Sequence, residues 1–375
     1  MTIRQVQHPD QAVRLSGVGA DESLRGMLDA ARRALPVQRL VGNGMELADA
    51  LALHAAATDG VAWHVAAGAL GEDNLRRADD AIAQGHVTSA ISFLEYAAAC
   101  FRFGQSQFFQ DVAEKVALYR RALDAFTRAA ALRDPPHLKV EIPFGDSAMS
   151  GWLIRPPGRA AMPTVIIFGG ADGWREEYYK GALYLVERGI AAFLLDGPGQ
   201  GETRLLNRLY LAPPPEIALS AAVDALLERS LATEIGVWGN SLGGNLAARL
   251  ASFDRRVAAC CVNSGAADPA ETTALFPRLA ERLAALAGQQ DAVSAAALNA
   301  ALRIAPEDNR IACPLLVLHG DADRLSTRPN VQALYDHAPS PDRTMLIWDD
   351  GDHCIYNHPH EKHCAVADWF AKRLG

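Results

Sequence analysis

The sequence predicts an α/β fold, a mostly parallel sheet flanked by helices, preceded by an all-helical amino-terminal domain. Three observations carry this. From residue 137 onward, short apolar runs such as Val165-Ile166-Ile167, Ala191-Ala192-Phe193-Leu194-Leu195 and Leu315-Leu316-Val317-Leu318 alternate with helical segments, the pattern of parallel strands covered on both faces. Residues 20–133 are instead Ala-rich, helical in period and free of strand alternation. Between an apolar run and a small-residue helical segment stands Gly239-Asn240-Ser241-Leu242-Gly243, the signature of a strained strand-to-helix turn that lifts a serine hydroxyl above a sheet.

Composition bounds the function. At 375 residues the chain exceeds a usual single core, so one large domain with a smaller one is expected. Half of the residues are hydrophobic and 21% charged, and no apolar run approaches the ~18 residues of a membrane span. The segment Met1–Asp10 has neither an apolar h-region nor a cleavage site, so the expected location is cytoplasmic. A net charge of −8 with scattered Lys and Arg lacks the electrostatic footprint of a nucleic-acid partner. The six cysteines (100, 260, 261, 313, 354, 364) form no C-x-x-C pair and read as reduced structural thiols.

In chain order, Met45 to Ala57 is unbroken by Pro or Gly, and Ile82 to Phe103 carries Ile91, Phe93, Leu94, Tyr96, Phe101 and Phe103. Val112, Val116, Tyr119, Leu123, Phe126 and Ala130 recur at intervals of four and three, which puts them on one helix face. Together these segments predict a helical bundle. The aromatic cluster, with Phe108 and Phe109 after Gly104, serves either as its core or as the lining of an apolar pocket. Asp134-Pro135-Pro136 stops the last helix, which sets the domains at 1–135 and 136–375. His137 to Phe144 and Met149 to Arg155 flank a Gly145-Asp146-Ser147 turn and predict a hairpin. The buried strand Pro163 to Phe168 and the later apolar runs, including Val257 to Val262, follow it.

A serine hydroxyl attacks only when a histidine takes its proton and a carboxylate holds that histidine in the correct tautomer. Both groups follow Ser241 in the chain. The strand Leu315 to Leu318 leads into His319-Gly320-Asp321-Ala322-Asp323, where Asp323 is the candidate acid and Asp321, directly after Gly320, is the alternative that more plausibly shapes the turn. The strand Thr344 to Trp348 leads into Asp349-Asp350-Gly351-Asp352-His353, with His353 as general base. Ser241, Asp323 and His353 thus lie in the order of the serine, acid and histidine of the α/β-hydrolase arrangement, each just past a strand.

The Leu242 N–H, first in its helix, is one expected oxyanion donor; the second comes from Gly170 or Ala171 in Phe168-Gly169-Gly170-Ala171-Asp172-Gly173. The loop Asp196-Gly197-Pro198-Gly199-Gln200-Gly201-Glu202 lacks both the G-x-G-x-x-G pattern and the lysine of a nucleotide loop. His353, His358, His360 and His363, with Cys354 and Cys364, are irregularly spaced and interrupted by Pro359, so no metal is expected there.

From His137 to the last residue the chain resembles the α/β-hydrolase superfamily. Four motifs, D-G-P-G-Q-G-E (196–202), G-N-S-L-G-G-N (239–245), I-A-C-P-L-L-V-L-H-G (311–320) and D-G-D-H-C-I-Y-N (350–357), resemble the 2,6-dihydroxypseudooxynicotine hydrolase group and its FrsA-type esterase relatives. The resemblance implies a helical cap before the hydrolase core, hydrolysis at a carbonyl, and the roles of nucleophile, acid and base for Ser241, Asp323 and His353. The nicotine-degrading member breaks a carbon–carbon bond next to a ketone. Asn240 stands where that group is expected to carry arginine, a difference that bears on the substrate. The group also uses a carboxylate some thirty residues past the serine, for which Asp268 and Glu271 are the nearby candidates; for each the reading as a solvated loop residue or cap of the next helix competes.

The expectation is therefore a serine hydrolase without cofactor or metal, acting on a small-molecule carbonyl substrate. It needs neither nucleic acid nor membrane as partner, and a homodimer is the expected assembly. An activated ketone of the β-diketone or acyl-phenol type is the favoured substrate, with a carboxylester, lactone or thioester as the alternative. A non-catalytic binding protein of the same fold would ordinarily have lost one of the three residues.

Overall fold

The computed structural model describes residues 18–158 and 161–374. The stretch Met1–Asp10 lies outside them. The chain divides into two compact units, Met1–Phe108 with Val112–Leu132, and Phe109–Asp111 with Arg133–Gly375. No helix among the described residues is long and apolar enough to cross a membrane.

The first unit is helical: α1 (Val18–Ala34), α2 (Val37–Gly42), α3 (Leu47–Thr58), α4 (Trp63–Ala83), α5 (Val87–Gln105) and α6 (Ala113–Leu132). The segment from Ile82 to Phe103 is not one helix. It is cut at Gln84-Gly85-His86, where Gly85 takes a φ of 74° that closes the α4–α5 turn. The second helix runs through Gly104 to Gln105. The buried residues of α6 are Lys115, Tyr119, Ala122, Ala125, Phe126, Ala129 and Ala130, which include Tyr119, Phe126 and Ala130 of the expected face, while Val112 precedes the helix and is exposed. The expected spacing misses Ala122, Ala125 and Ala129, whose small side chains also occupy the packed face.

Leu40, Leu53, Trp63, Ala67, Cys100 and Phe103 form the core of this unit. Phe101 is equally buried, whereas Phe108 is half-buried with its ring 5.0 Å from His64. Phe109 falls in the second unit, where the Arg282 guanidinium stacks on its ring at 4.4 Å. One aromatic-rich stretch thus divides between two structural roles.

The second unit is built on an eight-stranded sheet of order β1-β2-β4-β3-β5-β6-β7-β8. The strands are β1 (Leu138–Phe144), β2 (Ser147–Ile154), β3 (Met162–Phe168), β4 (Ala191–Asp196), β5 (Ala232–Asn240), β6 (Val257–Asn263), β7 (Leu315–Gly320) and β8 (Arg343–Trp348). β1 and β2 form the antiparallel hairpin and β2 pairs antiparallel with β4; the remaining pairs are parallel. Around the sheet run α7 (Tyr179–Val186), α8 (Gly201–Leu205), α9 (Pro215–Glu228), α10 (Leu242–Phe253), α11 (Pro269–Leu275), α12 (Arg278–Leu286), α13 (Ala292–Leu302), α14 (Arg328–Asp336) and α15 (Pro359–Leu374).

The apolar runs of β3, β4, β5, β6 and β7 are buried because helices cover the sheet. Strand order reverses between β4, β3 and β5, and ligands of such sheets bind beyond the carboxyl ends of the strands near this switch. Ser241 follows β5 directly.

Candidate active site

Ser241 is the residue between β5 and α10, with φ 58° and ψ −126°. A side chain rarely occupies this region, and holding one there costs about 1–3 kcal/mol. The turn is so tight that a Cβ on Gly239 would lie 1.9 Å from the Gly243 carbonyl oxygen, and one on Gly243 would lie 2.3 Å from that of Gly169. The two glycines flanking the serine are therefore a steric requirement.

Two more loops converge on the serine. The His353 Nε2 is 2.8 Å from Ser241 Oγ, and its Nδ1 is 2.9 Å from Asp323 Oδ2. The other Asp323 oxygen accepts the backbone N–H groups of Leu325 at 2.8 Å and Ser326 at 3.1 Å. Asp321, the alternative acid, instead pairs with Arg328 at 3.3 Å on the outside of the turn. The Asp323 and His353 loops are stitched together, with Asp321 N–H donating to Trp348 O and Ala322 N–H to Gly351 O. They cross at Gly320 and Gly351, where a Cβ on Gly320 would lie 2.2 Å from the Gly351 oxygen.

The electrostatics follow from these contacts. Burial works to raise the pKa of Asp323, but the His353 charge, the hydrogen bond from it and the two N–H donors outweigh burial and hold the carboxyl below its ordinary value. For His353 burial works against the cation; the Asp323 carboxylate, with a smaller contribution from Cys354, reverses this and raises the imidazole well above 6.5.

The residues expected to supply the oxyanion donors lie at the start of α10 and in the loop after β3. Leu242 opens α10, where N–H groups lack intrahelical acceptors and point along the positive end of the helix. Gly170 abuts the serine: a Cβ there would lie 2.9 Å from Ser241 Cβ and 3.3 Å from its Oγ. Ala171 follows, half-buried.

The three remaining sequence candidates take local structural positions. Asp268 is the N-cap of α11, accepting the Ala270 N–H at 3.0 Å, and lies 3.6 Å from Arg303. The Glu271 carboxylate receives the Thr327 N–H at 3.4 Å, in the loop after Asp323. Asn240 is only 1% exposed, and its Oδ1 accepts from Asn263 Nδ2 at 2.8 Å. It occupies the last position of β5.

Comparison with known proteins fixes the family. The chain is 32% identical over 298 residues, 78% of its length and 80% of the relative's, to 2,6-dihydropseudooxynicotine hydrolase of Paenarthrobacter nicotinovorans. The chain belongs to the α/β-hydrolase family. The family model for the α/β hydrolase fold matches residues 163–303, and a serine aminopeptidase (S33) model matches residues 292–360. The crystal structure of the 2,6-dihydroxy-pseudo-oxynicotine hydrolase superposes with a TM-score of 0.81 at 28% identity, covering 90% of this chain and 95% of that one. An α/β hydrolase of Penicillium citrinum is 32% identical over 219 residues, 54% of this chain and half of the relative.

Several residues around this α/β-hydrolase site carry no signal readable before the fold is known. Asn263, at the end of β6, bridges Asn240 Oδ1 and the Cys354 carbonyl at 3.1 Å. Ser264 Oγ receives the Cys354 N–H at 3.0 Å, and the buried Lys362 of α15 donates to the Cys354 carbonyl at 3.0 Å. Gln200 lies in a motif that sequence inspection picks out, yet its partners, the Gly169 and Gly170 carbonyls, are some thirty residues away.

Proposed function

We propose that this α/β hydrolase is a serine hydrolase in which Ser241 is the nucleophile, His353 the general base and Asp323 the acid that orients it. The observation that supports this most strongly is the unbroken relay from Ser241 Oγ through both His353 nitrogens to Asp323, at 2.8 and 2.9 Å, on a serine held at φ 58°. Ser241 Oγ adds to the substrate carbonyl while His353 Nε2 takes its proton. The resulting oxyanion is held by the Leu242 N–H and by the N–H of Gly170 or Ala171. Collapse breaks the bond to the leaving group, which His353 protonates, and leaves an acyl group on Ser241. Water, deprotonated by His353, then releases a carboxylic acid and the free serine.

The favoured substrate is an activated ketone, of β-diketone or acyl-phenol type, cleaved at a carbon–carbon bond. The similarity to 2,6-dihydropseudooxynicotine hydrolase across most of both chains supports this class. A carbanion leaves readily only when a neighbouring carbonyl or phenolic ring delocalises its charge, so the substrate must supply that group. In this reading residues 1–135 act as a cap domain that selects the substrate.

The test is a matched pair, an aryl β-diketone and an aryl ester of similar size, with products identified by mass spectrometry and Ser241→Ala as control. Cleavage of the diketone to an acid and a ketone is the expected result. Rapid ester hydrolysis with an untouched diketone would instead assign a carboxylesterase.

A further inference from the structure

We propose that Gln200 is a positioning residue for the oxyanion hole: its side-chain amide sets the direction of the Gly169–Gly170 and Gly170–Ala171 peptide groups, one of whose N–H hydrogens is the second donor to the substrate oxyanion. This rests on the reading of Ser241 as nucleophile. Gln200 is 2% exposed and lies between β4 and α8. Its Nε2 donates to the Gly169 carbonyl at 2.6 Å and the Gly170 carbonyl at 3.1 Å. Its Oε1 accepts the Gly197 N–H at 3.0 Å. Turning the amide over would set an oxygen against two carbonyls and an NH2 group against an N–H, so the network admits one orientation.

The two carbonyls matter because of the peptide groups to which they belong. Among the described residues the cis peptides are Asp134-Pro135 and Pro213-Pro214, so the bonds after Gly169 and Gly170 are trans. In a trans peptide the C=O of one residue and the N–H of the next point in opposite directions. Drawing the Gly169 and Gly170 oxygens toward Gln200 therefore turns the Gly170 and Ala171 N–H groups away from it. Gly170 is also the residue packed against Ser241 Cβ and Oγ.

The pair has no side chains of its own to fix its backbone. Glycine populates both signs of φ with little preference, so a Gly-Gly peptide can rotate at small cost. An inverted peptide would present a carbonyl oxygen to a developing negative charge. The far end of the same loop is held from the same motif, since the Asp196 carboxylate accepts the N–H of Arg175 at 3.1 Å and of Glu202 at 2.9 Å. The D-G-P-G-Q-G-E stretch thus clamps the loop at both ends, and Gln200 holds the end that faces the serine.

The test uses the full-length enzyme with p-nitrophenyl butyrate as substrate and phenyl trifluoromethyl ketone as probe, because the ketone forms a tetrahedral adduct whose oxygen occupies the hole. Gln200→Leu keeps the bulk and removes both donors. Its kcat is expected to fall about 10²-fold, the loss typical of one oxyanion donor, with KM changed less than about threefold and ketone affinity reduced by a factor similar to kcat. Gln200→Glu adds a readout independent of the folding of the leucine variant. Its carboxyl can donate one hydrogen bond when protonated and only repels the two carbonyls when ionised, so its kcat relative to wild type should fall as pH rises.

Wild-type kcat and ketone affinity in Gln200→Leu, or a pH-independent ratio near one in Gln200→Glu, would overturn the positioning role. Ser241→Ala run in parallel separates the two levels of inference. Retained turnover there removes the serine mechanism and this role with it; abolished turnover beside an unaffected Gln200→Leu removes the role of Gln200 alone.

Discussion

Lys362 donates its ammonium to the carbonyl of Cys354 at 3.0 Å, one residue beyond the histidine that touches Ser241. The Cys354 backbone is at φ 58° and that of Ile355 at φ 54°, two consecutive left-handed residues with side chains, the second β-branched. Asn263 and Ser264 bond the same residue from β6 and the loop after it. A buried cation and two polar side chains thus hold the strained turn that aims His353.

Lys362→Met keeps the aliphatic length and removes the donor. The carbonyl keeps Asn263, so the loss should be that of one charge-assisted hydrogen bond, about 1.5–3 kcal/mol before the relief of burying an ammonium is counted. The expected outcome is a kcat reduced by ten-fold or more with KM nearly constant, since the histidine is misaligned while the pocket is not. Steady-state kinetics beside a thermal melt would check it, and unchanged kcat would deny the lysine any part in aiming His353.

Ser241 offers a test of function against stability. At φ 58° and ψ −126° glycine is far more comfortable than serine. Ser241→Gly should abolish turnover, with a loss of ~10⁴-fold or more, and yet stabilise the fold by about 1–2 kcal/mol. A melting temperature equal to or below that of wild type would show that the elbow stores no strain.

The pH dependence follows from His353. As the proposed base it must be neutral, and the Asp323 carboxylate raises its pKa above 6.5 against the effect of burial. In the free enzyme kcat/KM should therefore climb with pH along a limb centred above 6.5. Asp323→Asn removes the charge that raises it, so the limb should move to lower pH while the plateau drops about 10⁴-fold. For stability the sign differs between the partners: the depressed Asp323 contributes above the ordinary carboxylate range and is lost as pH falls through its folded pKa, whereas the raised His353 contributes fully below 6.5 and is lost as pH rises through its folded pKa. A pH–rate profile with the limb below 6.5 in wild type would contradict the coupling.

The strands and the relay were legible because their signals are local. Each buried strand is a contiguous apolar run, and Ser241, Asp323 and His353 each sit a few residues beyond one. What resisted reading depends on partners distant in sequence. Gln200 and the Gly169 carbonyl are brought together by the adjacency of β3 and β4, which no run of residues encodes. The partner of Asn240, Asn263 on the neighbouring β6, lies twenty-three residues away in sequence. On α6 the packed face takes in Ala122, Ala125 and Ala129 beside the expected Tyr119, Phe126 and Ala130, because alanines carry little hydrophobic signal yet sit where helices come closest.

Gly320 and Gly351 supply the last prediction. They lie at the roots of the loops bearing Asp323 and His353, and a Cβ on Gly320 would meet the Gly351 oxygen at 2.2 Å and its carbonyl carbon at 2.4 Å. Both contacts are to backbone, which cannot rotate aside as a side chain could, so Gly320→Ala must push the loops apart. Separating them lengthens the Asp323 to His353 hydrogen bond, now 2.9 Å, and weakens the Ala322 N–H to Gly351 O link of 3.0 Å that ties them. Overpacking of this kind costs about 1–3 kcal/mol, and a misplacement of the order of 1 Å at the reacting groups costs about 10²-fold in rate. Gly320→Ala should therefore lower the melting temperature and kcat together and move the His353 limb toward lower pH as its carboxylate recedes. A pH–rate profile and melt for this single variant decide the matter: a slower enzyme with an unmoved limb would mean that the two loops are not coupled through their glycine crossing.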